Sequence, residues 1–291
     1  MAVAVWAADD WAPVAARHRA RVRAWTKPHL ARRTKGQRHP VEDFLFEYYS
    51  HSPTKLERWH PGFGNVLCGP GIDEYADLAD YRTYDSGVGP DPDRLRRRRE
   101  GLEWTRDLLA LTQGRDARTN CFGLHEWAMV YRTRQAEVRH ESYPLRLGHR
   151  GTDDVVESHQ LRCTHFDAFR FFTDDARPRN ADLLTRRDQQ DSEQPGCLHA
   201  NMDLYRAAYK FSPFVRSELV ADCFELARDI RELDMRASPY DLSSLGYSPV
   251  RIEEASGKAE YVAGQRRFAA RAGVLRGYLL DELTGLLEAV G

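Results

Sequence analysis

Two long stretches of helical spacing limit what this chain can fold into. SELVADCFELARDIRELDMRAS (217–238) puts Leu219, Val220, Cys223, Phe224, Ala227, Ile230 and Leu233 on one face and is stopped by Pro239. AGQRRFAARAGVLRGYLLDELTGLLEAV (263–290) closes the chain as another helix. Around them, RLRRRREGLEWTRDLLALTQG predicts a helix from about Asp93 to Gln113 with Gly114 as its cap, and HANMDLYRAAYKF predicts one over 199–211. HPVEDFLFEYYS predicts a helix over Pro40–Ser50, with proline in the first position and Glu42 and Asp43 in the first turn. Strand signals are few. Alternation on either side of HRGTDD predicts a short β element within 143–167, and the Ser-Gly of VRIEEASGKAEYV predicts a small hairpin over 250–262. Pro- and Gly-rich 51–71 and polar 176–196 read as loops. The fold class is therefore mainly α with minor β, arranged as one catalytic domain over 39–291 behind a basic arm or helix over 1–38.

With 291 residues and 42% hydrophobic content, a sizeable core is within reach. No apolar run approaches the ~18 residues of a membrane span, and the acids of MAVAVWAADDW do not suit a signal peptide. No membrane partner and a cytoplasmic location are expected. The five cysteines are an odd number without a CxxC pair, so neither a disulfide framework nor a zinc ribbon is signalled. Net charge is −1, yet nine Arg and Lys residues and no acid lie between Trp11 and Val41. That segment either docks on acidic surface elsewhere in the chain or binds an external anion.

The chemistry concentrates in four places. FGLHEWAMVY buries His125 and Glu126 in an apolar run, where a carboxylate costs several kcal/mol unless something compensates it. HPVEDFLFEYYS holds His39, Glu42 and Asp43; THFDAFRFF holds His165 and Asp167; LHANMDLY holds His199 and Asp203. On a helix His39 faces Glu42 and Asp43, and His199 faces Asp203; on a strand His165 and Asp167 share a face. Imidazole and carboxylate without thiolate are the donor set of iron, manganese or zinc. His125, Glu126, His165 and Asp167 are expected to converge on one or two divalent ions, iron or manganese favoured and zinc possible, with His39, Glu42, Asp43, His199 and Asp203 as further candidates. Such a site activates water for hydrolysis or dioxygen for oxidation of a small-molecule substrate. Bland readings stand beside it: helix-dipole acids at Glu42 and Asp43, a solvated stripe at His199 and Asp203, a closed ion network at His165 and Asp167.

Taken together, HPVEDFLFEYYS, RWHPG, LHEWAMVYR, CTHFDAFRFF, EQPGCLHANMDLY and ELDMRASPYDL resemble a bacterial protein family called 3-methyladenine DNA glycosylase, over about His39 to the C-terminus. The resemblance implies excision of alkylated bases from duplex DNA; it assigns no catalytic residue, and on that reading an acid such as Glu126 or Asp43 serves as general base. A flipped base needs an aromatic pocket, and phosphates need cations such as those of 17–38. The nearest match to a glycosylase hairpin is GPGIDEY, where Asp73 stands in place of the second glycine; Asp91 or Asp93 would be the downstream acid, or simply a helix cap. A non-enzymatic binding protein, its His/carboxylate groups purely structural, is the third reading.

Overall fold

The computed structural model describes residues 4–138 and 140–291. In chain order these form β1 (Ala4–Trp6), α1 (Ala8–Thr34), α2 (Phe44–Tyr48), α3 (Pro53–Glu57), β2 (Asn65–Leu67), α4 (Asp73–Ala76), β3 (Tyr81–Tyr84), β4 (Gly87–Pro90), α5 (Pro92–Arg96), α6 (Arg99–Gln113), α7 (Leu124–Ala128), α8 (Gly148–Glu157), α9 (Phe166–Phe169), α10 (Gln189–Ser192), α11 (Leu198–Tyr209), α12 (Ser217–Arg236) and α13 (Ala255–Ala289). The protein is mainly α with one small sheet. The chain divides into two compact units: Met1–Leu109 with Leu204–Glu225 and Leu275–Gly291, and Ala110–Asp203 with Leu226–Val274. The basic segment belongs to the first.

In the first unit the sheet runs β1-β2-β4-β3, β1 parallel to β2 and the rest antiparallel, with Leu67 opposite Val88. A Cβ at Gly87 or Gly89 would collide with the carbonyls of Leu67 or Asn65, so these glycines are what lets β4 lie against β2. Trp11 and Ala15 of α1 pack there with Trp59, Leu67, Tyr75, Tyr81 and Val88. Gly71 of GPGIDEY takes a left-handed φ of +93° and passes Trp11 so closely that a Cβ would lie 3.2 Å from the indole; Asp73 simply opens α4. Asp91 caps α5, its Oδ1 accepting from the Asp93 amide at 2.9 Å.

Most of the basic segment lies in the helix α1, with Lys35 and Arg38 beyond its end, and much of its charge is met within the unit. Arg21 pairs with Asp222 and Glu225, each at 2.7 Å, and Arg23 with Glu57 at 3.1 Å. The helix expected over Pro40–Ser50 is shorter, because side chains capture the backbone before it. His39 Nδ1 accepts from the Glu42 amide at 3.0 Å and Asp43 Oδ2 from the His39 amide at 2.8 Å, folding 39–43 into turns and delaying α2 to Phe44. The single helix expected over 93–113 is two, parted at Arg97–Arg98, and the 51–71 loop contains α3 and β2.

In the second unit both expected β features are helical. HRGTDD lies inside α8, whose buried residues Thr152, Val155 and Val156 recur at helical spacing; Leu145 and Leu161 form only single bridges, to Tyr240 and Asn180. The hairpin over 250–262 is replaced by the start of α13. Gly257 is helical there, and a Cβ on it would strike the Arg251 carbonyl, so the glycine serves close backbone passage instead of a turn. Among the described residues no helix is long and apolar enough to cross a membrane.

Candidate metal centre

The second unit brings chain segments far apart in sequence onto one buried cluster. Phe122 and Gly123 both take positive φ (+48° and +72°), turning the chain sharply into α7, and the Tyr261 ring leaves no slack for a side chain at Gly123. Trp127 Nε1 then donates to the Ala237 carbonyl at 2.9 Å, pinning α7 beside the end of α12. His125 meets Asp234 there: Nε2 donates to Oδ2 at 3.2 Å and lies 3.0 Å from Oδ1.

His199 enters from the first turn of α11. The Gln194 amide holds the preceding loop by accepting from the Arg118 and Gly196 amides at 2.7 and 2.8 Å, and Gln265 Nε2 donates to the Gly196 carbonyl at 2.6 Å. The His199 ring stands edge-on to His125, centroids 4.3 Å apart. One donor atom each from His125, His199 and Asp234 lie within 4.8 Å of one another.

His165 stacks on His199, ring centroids 5.4 Å apart. Asn180 fixes its approach, accepting from the Cys163 amide at 2.8 Å and donating to the Cys163 carbonyl at 3.0 Å. Glu193 and Asp203 approach His165 Nε2 to 3.4 and 3.3 Å as ion-pair contacts, and Nδ1 has no hydrogen-bond partner. Asp234 Oδ1 accepts no hydrogen bond either. A buried polar atom left unsatisfied costs about 1–3 kcal/mol. A cation here would take up Asp234 Oδ1 and the ring nitrogens once their protons leave.

The four residues expected to share an ion do not form one set. His125 joins His199 and Asp234; His165 lies beside them with Glu193 and Asp203. Glu126 is engaged by Arg231, whose Nη1 donates to Oε1 at 2.7 Å, because a buried carboxylate with a guanidinium available pairs with it. Asp167 faces the cations Arg170 at 3.2 Å and Arg186 at 3.8 Å. His39, Glu42 and Asp43 belong to the first unit. There Asp43 accepts from His29 Nδ1 at 2.9 Å, from Arg32 Nε at 3.0 Å and from the His39 amide, which leaves neither carboxylate oxygen open as a base.

Asp234 was not a sequence candidate, although its position carried a signal. On α12 the buried face through Val220, Cys223 and Ala227 continues at helical spacing to Arg231 and Asp234, 2% and 0% exposed. A charged pair on the apolar side of a helix is the mark of a built network.

The three imidazoles differ in charge. Burial pushes His199 well below the usual imidazole range, and His125 and His165 on its two sides push it further. Burial also opposes charge on His125, but Asp234 and Glu126 outweigh it and hold the ring above its ordinary value. At His165, Glu193 and Asp203 likewise overcome burial. The middle ring is thus held toward its neutral form, and the outer two are held toward their protonated form by the carboxylates around them.

A narrow cavity of about 20 Å³, room for a water molecule, reaches His125 and His199. No carboxylate lines it. Its walls include Cys121, Cys163 and Cys197, all buried enough to raise their thiols, Cys163 to about 12, so they face the cavity as neutral S–H groups and not as thiolate ligands. Arg118, Thr164 and Gln194 are shared with an open polar cleft of about 720 Å³. In comparisons with known proteins, the chain matches no protein-family model, no curated protein and no solved structure.

Proposed function

We propose that the protein is a metal-dependent enzyme whose divalent ion is held by His125, His199 and Asp234. The observation that carries this reading is the convergence of two imidazoles and one carboxylate within 4.8 Å, beside a small cavity and among buried acceptors that lack hydrogen bonds. Two histidines and one carboxylate with open positions are the donor set of non-haem ferrous oxygenases. When bound, the ion supplies Lewis acidity and, if iron or manganese, one-electron chemistry.

The chain's own residues do the rest. Arg231 offsets Glu126 and lies 3.5 Å from Asp234, holding that carboxylate in place. The neutral thiols and Phe172 restrict water at the ion. A small polar substrate enters from the neighbouring cleft, which Asp116, Asp182, Asp188 and Asp191 line together with Arg115 and Arg118, so a neutral or cationic group suits it better than an anion. The test is elemental analysis of the full chain purified without added metal, followed by anaerobic loading with ferrous ion and nitric oxide. Near-stoichiometric binding and the half-integer-spin signal of a ferrous nitrosyl support the reading. Failure to bind iron, manganese or zinc under any of these conditions sinks it.

A further inference from the structure

A second cavity, in the first unit, has the opposite character. It measures about 490 Å³, within the ~300–1,000 Å³ range of small-molecule sites, and four cationic side chains line it: Lys55, Arg58, Arg98 and Lys210. Asp80 is its single acid, and Arg98 Nη2 already holds that carboxylate at 2.7 Å. Lys55, Arg58 and Lys210 have no carboxylate partner among the described residues. Counting the four cations against Asp80 leaves 4 − 1 = 3 uncompensated charges around one cavity.

Like charges gathered around one cavity repel one another; Arg58 is half-buried there, while Lys55 and Lys210 reach it from exposed positions. Partial desolvation of the Lys210 ammonium at the cavity rim, with Arg206 nearby, lowers it below the ordinary lysine range. The ring components point the same way. His51 stacks on Tyr209 at 4.8 Å and 20°, and His60 Nδ1 bonds the Tyr81 hydroxyl at 2.9 Å. Burial drives both imidazoles down, to about 4 and about 3, so at neutral pH they are uncharged walls and hydrogen-bond partners.

We infer that this cavity binds a small organic phosphate, its dianionic head held by Arg58, Lys55 and Lys210 and its body against the His51–Tyr209 stack. Three uncompensated cations exceed what a single carboxylate needs and suit a phosphomonoester, whose second ionisation is complete near neutral pH. The cavity is independent of the proposed metal centre, since every residue that lines it belongs to the first unit.

The test is calorimetric titration of the full chain with inorganic phosphate, inorganic sulfate, ribose 5-phosphate and, separately, a short DNA duplex. Saturable binding of ribose 5-phosphate that exceeds that of either inorganic anion is expected. Losing one charge-assisted contact weakens binding roughly 10- to 100-fold. Lys55→Gln, at an exposed position that cannot unfold the chain, and Arg58→Gln should each show that loss while metal content stays unchanged. Three results overturn the inference: no saturable phosphate binding at millimolar concentration, equal affinity in both variants and the parent chain, or saturation by duplex alone.

Discussion

The chain holds two buried networks of the same ingredients, and they end in opposite states. In the first unit His29, Arg32 and the His39 amide all donate to Asp43, so charge and hydrogen-bonding capacity both close. In the second unit His125, His199 and Asp234 lie as close together, with His165 beside them, yet His165 Nδ1 has no hydrogen-bond partner, and His165 Nε2 and Asp234 Oδ1 are met by ion-pair contacts without completed hydrogen bonds. Imidazole beside carboxylate in an apolar segment therefore marks burial of charge, not its purpose. What separates structure from function here is satisfaction: a closed network stabilises the fold, whereas an open one leaves donors for a ligand.

The largest expected effect tests that contrast directly. His199→Ala and Asp234→Ala should each reduce metal affinity by about 100-fold or more, beyond the 10–100-fold typical of residues that only support ligands. His29→Ala, which opens the closed network, should leave metal content as it was. Equal metal loss in both regions, measured on folded protein, would erase the distinction.

Next comes stability. Asp43→Asn removes the charge that Arg32 and His29 surround and should cost about 2–4 kcal/mol in denaturant unfolding, discounted from a fully buried pair because Arg32 is partly exposed. Burial alone would raise the Asp43 carboxyl, but Arg32 and His29 outweigh it and hold it below the ordinary value. A depressed carboxyl contributes stability that is present above its unfolded value and disappears as pH falls through its folded one. The parent chain should thus lose stability more steeply than Asp43→Asn below about pH 4. Parallel acid limbs would contradict the assignment.

Glu126→Gln sharpens the boundary inside the second unit. It leaves Arg231 without its full counter-charge, at about 1–3 kcal/mol, while metal affinity should change tenfold or less. If this substitution removed metal as completely as Asp234→Ala, Glu126 would be a ligand after all.

The smallest effect concerns α1. Arg21→Ala breaks half-exposed pairs to Asp222 and Glu225 and should cost about 1 kcal/mol or less. Duplex binding, read at two salt concentrations, should be weak in the parent and unchanged in the variant. Tight binding with a salt slope that falls by about one unit would return DNA to consideration.

The helical framework was legible because α6, α11 and α12 repeat apolar residues over several turns, long enough for period to show. The sheet was not, since strands of three or four residues offer at most two alternations, and β4 is half glycine. Gly257 misled for a related reason: a glycine signals freedom or closeness, and only the passing Arg251 backbone shows which. At the site, His125 and His165 stood out through their apolar neighbours, whereas His199 looked like part of a wet stripe because its helix also carries Arg206 and Lys210. Asp234 was hidden by its surroundings in another sense. It is one acid among several on α12, distinguishable only by counting which of them fall on the buried side.

The contact between His125 and Asp234 closes a span of 109 residues. Entropy of closure over that length must be met before the two side chains can meet, and most of the second unit has to be in place first. An ion bound there would meet a scaffold already assembled, unlike the metal of a zinc finger, which organises its own fold. Stripped of metal, the chain should still melt cooperatively, and addition of metal should raise the midpoint by an amount set by its concentration relative to Kd.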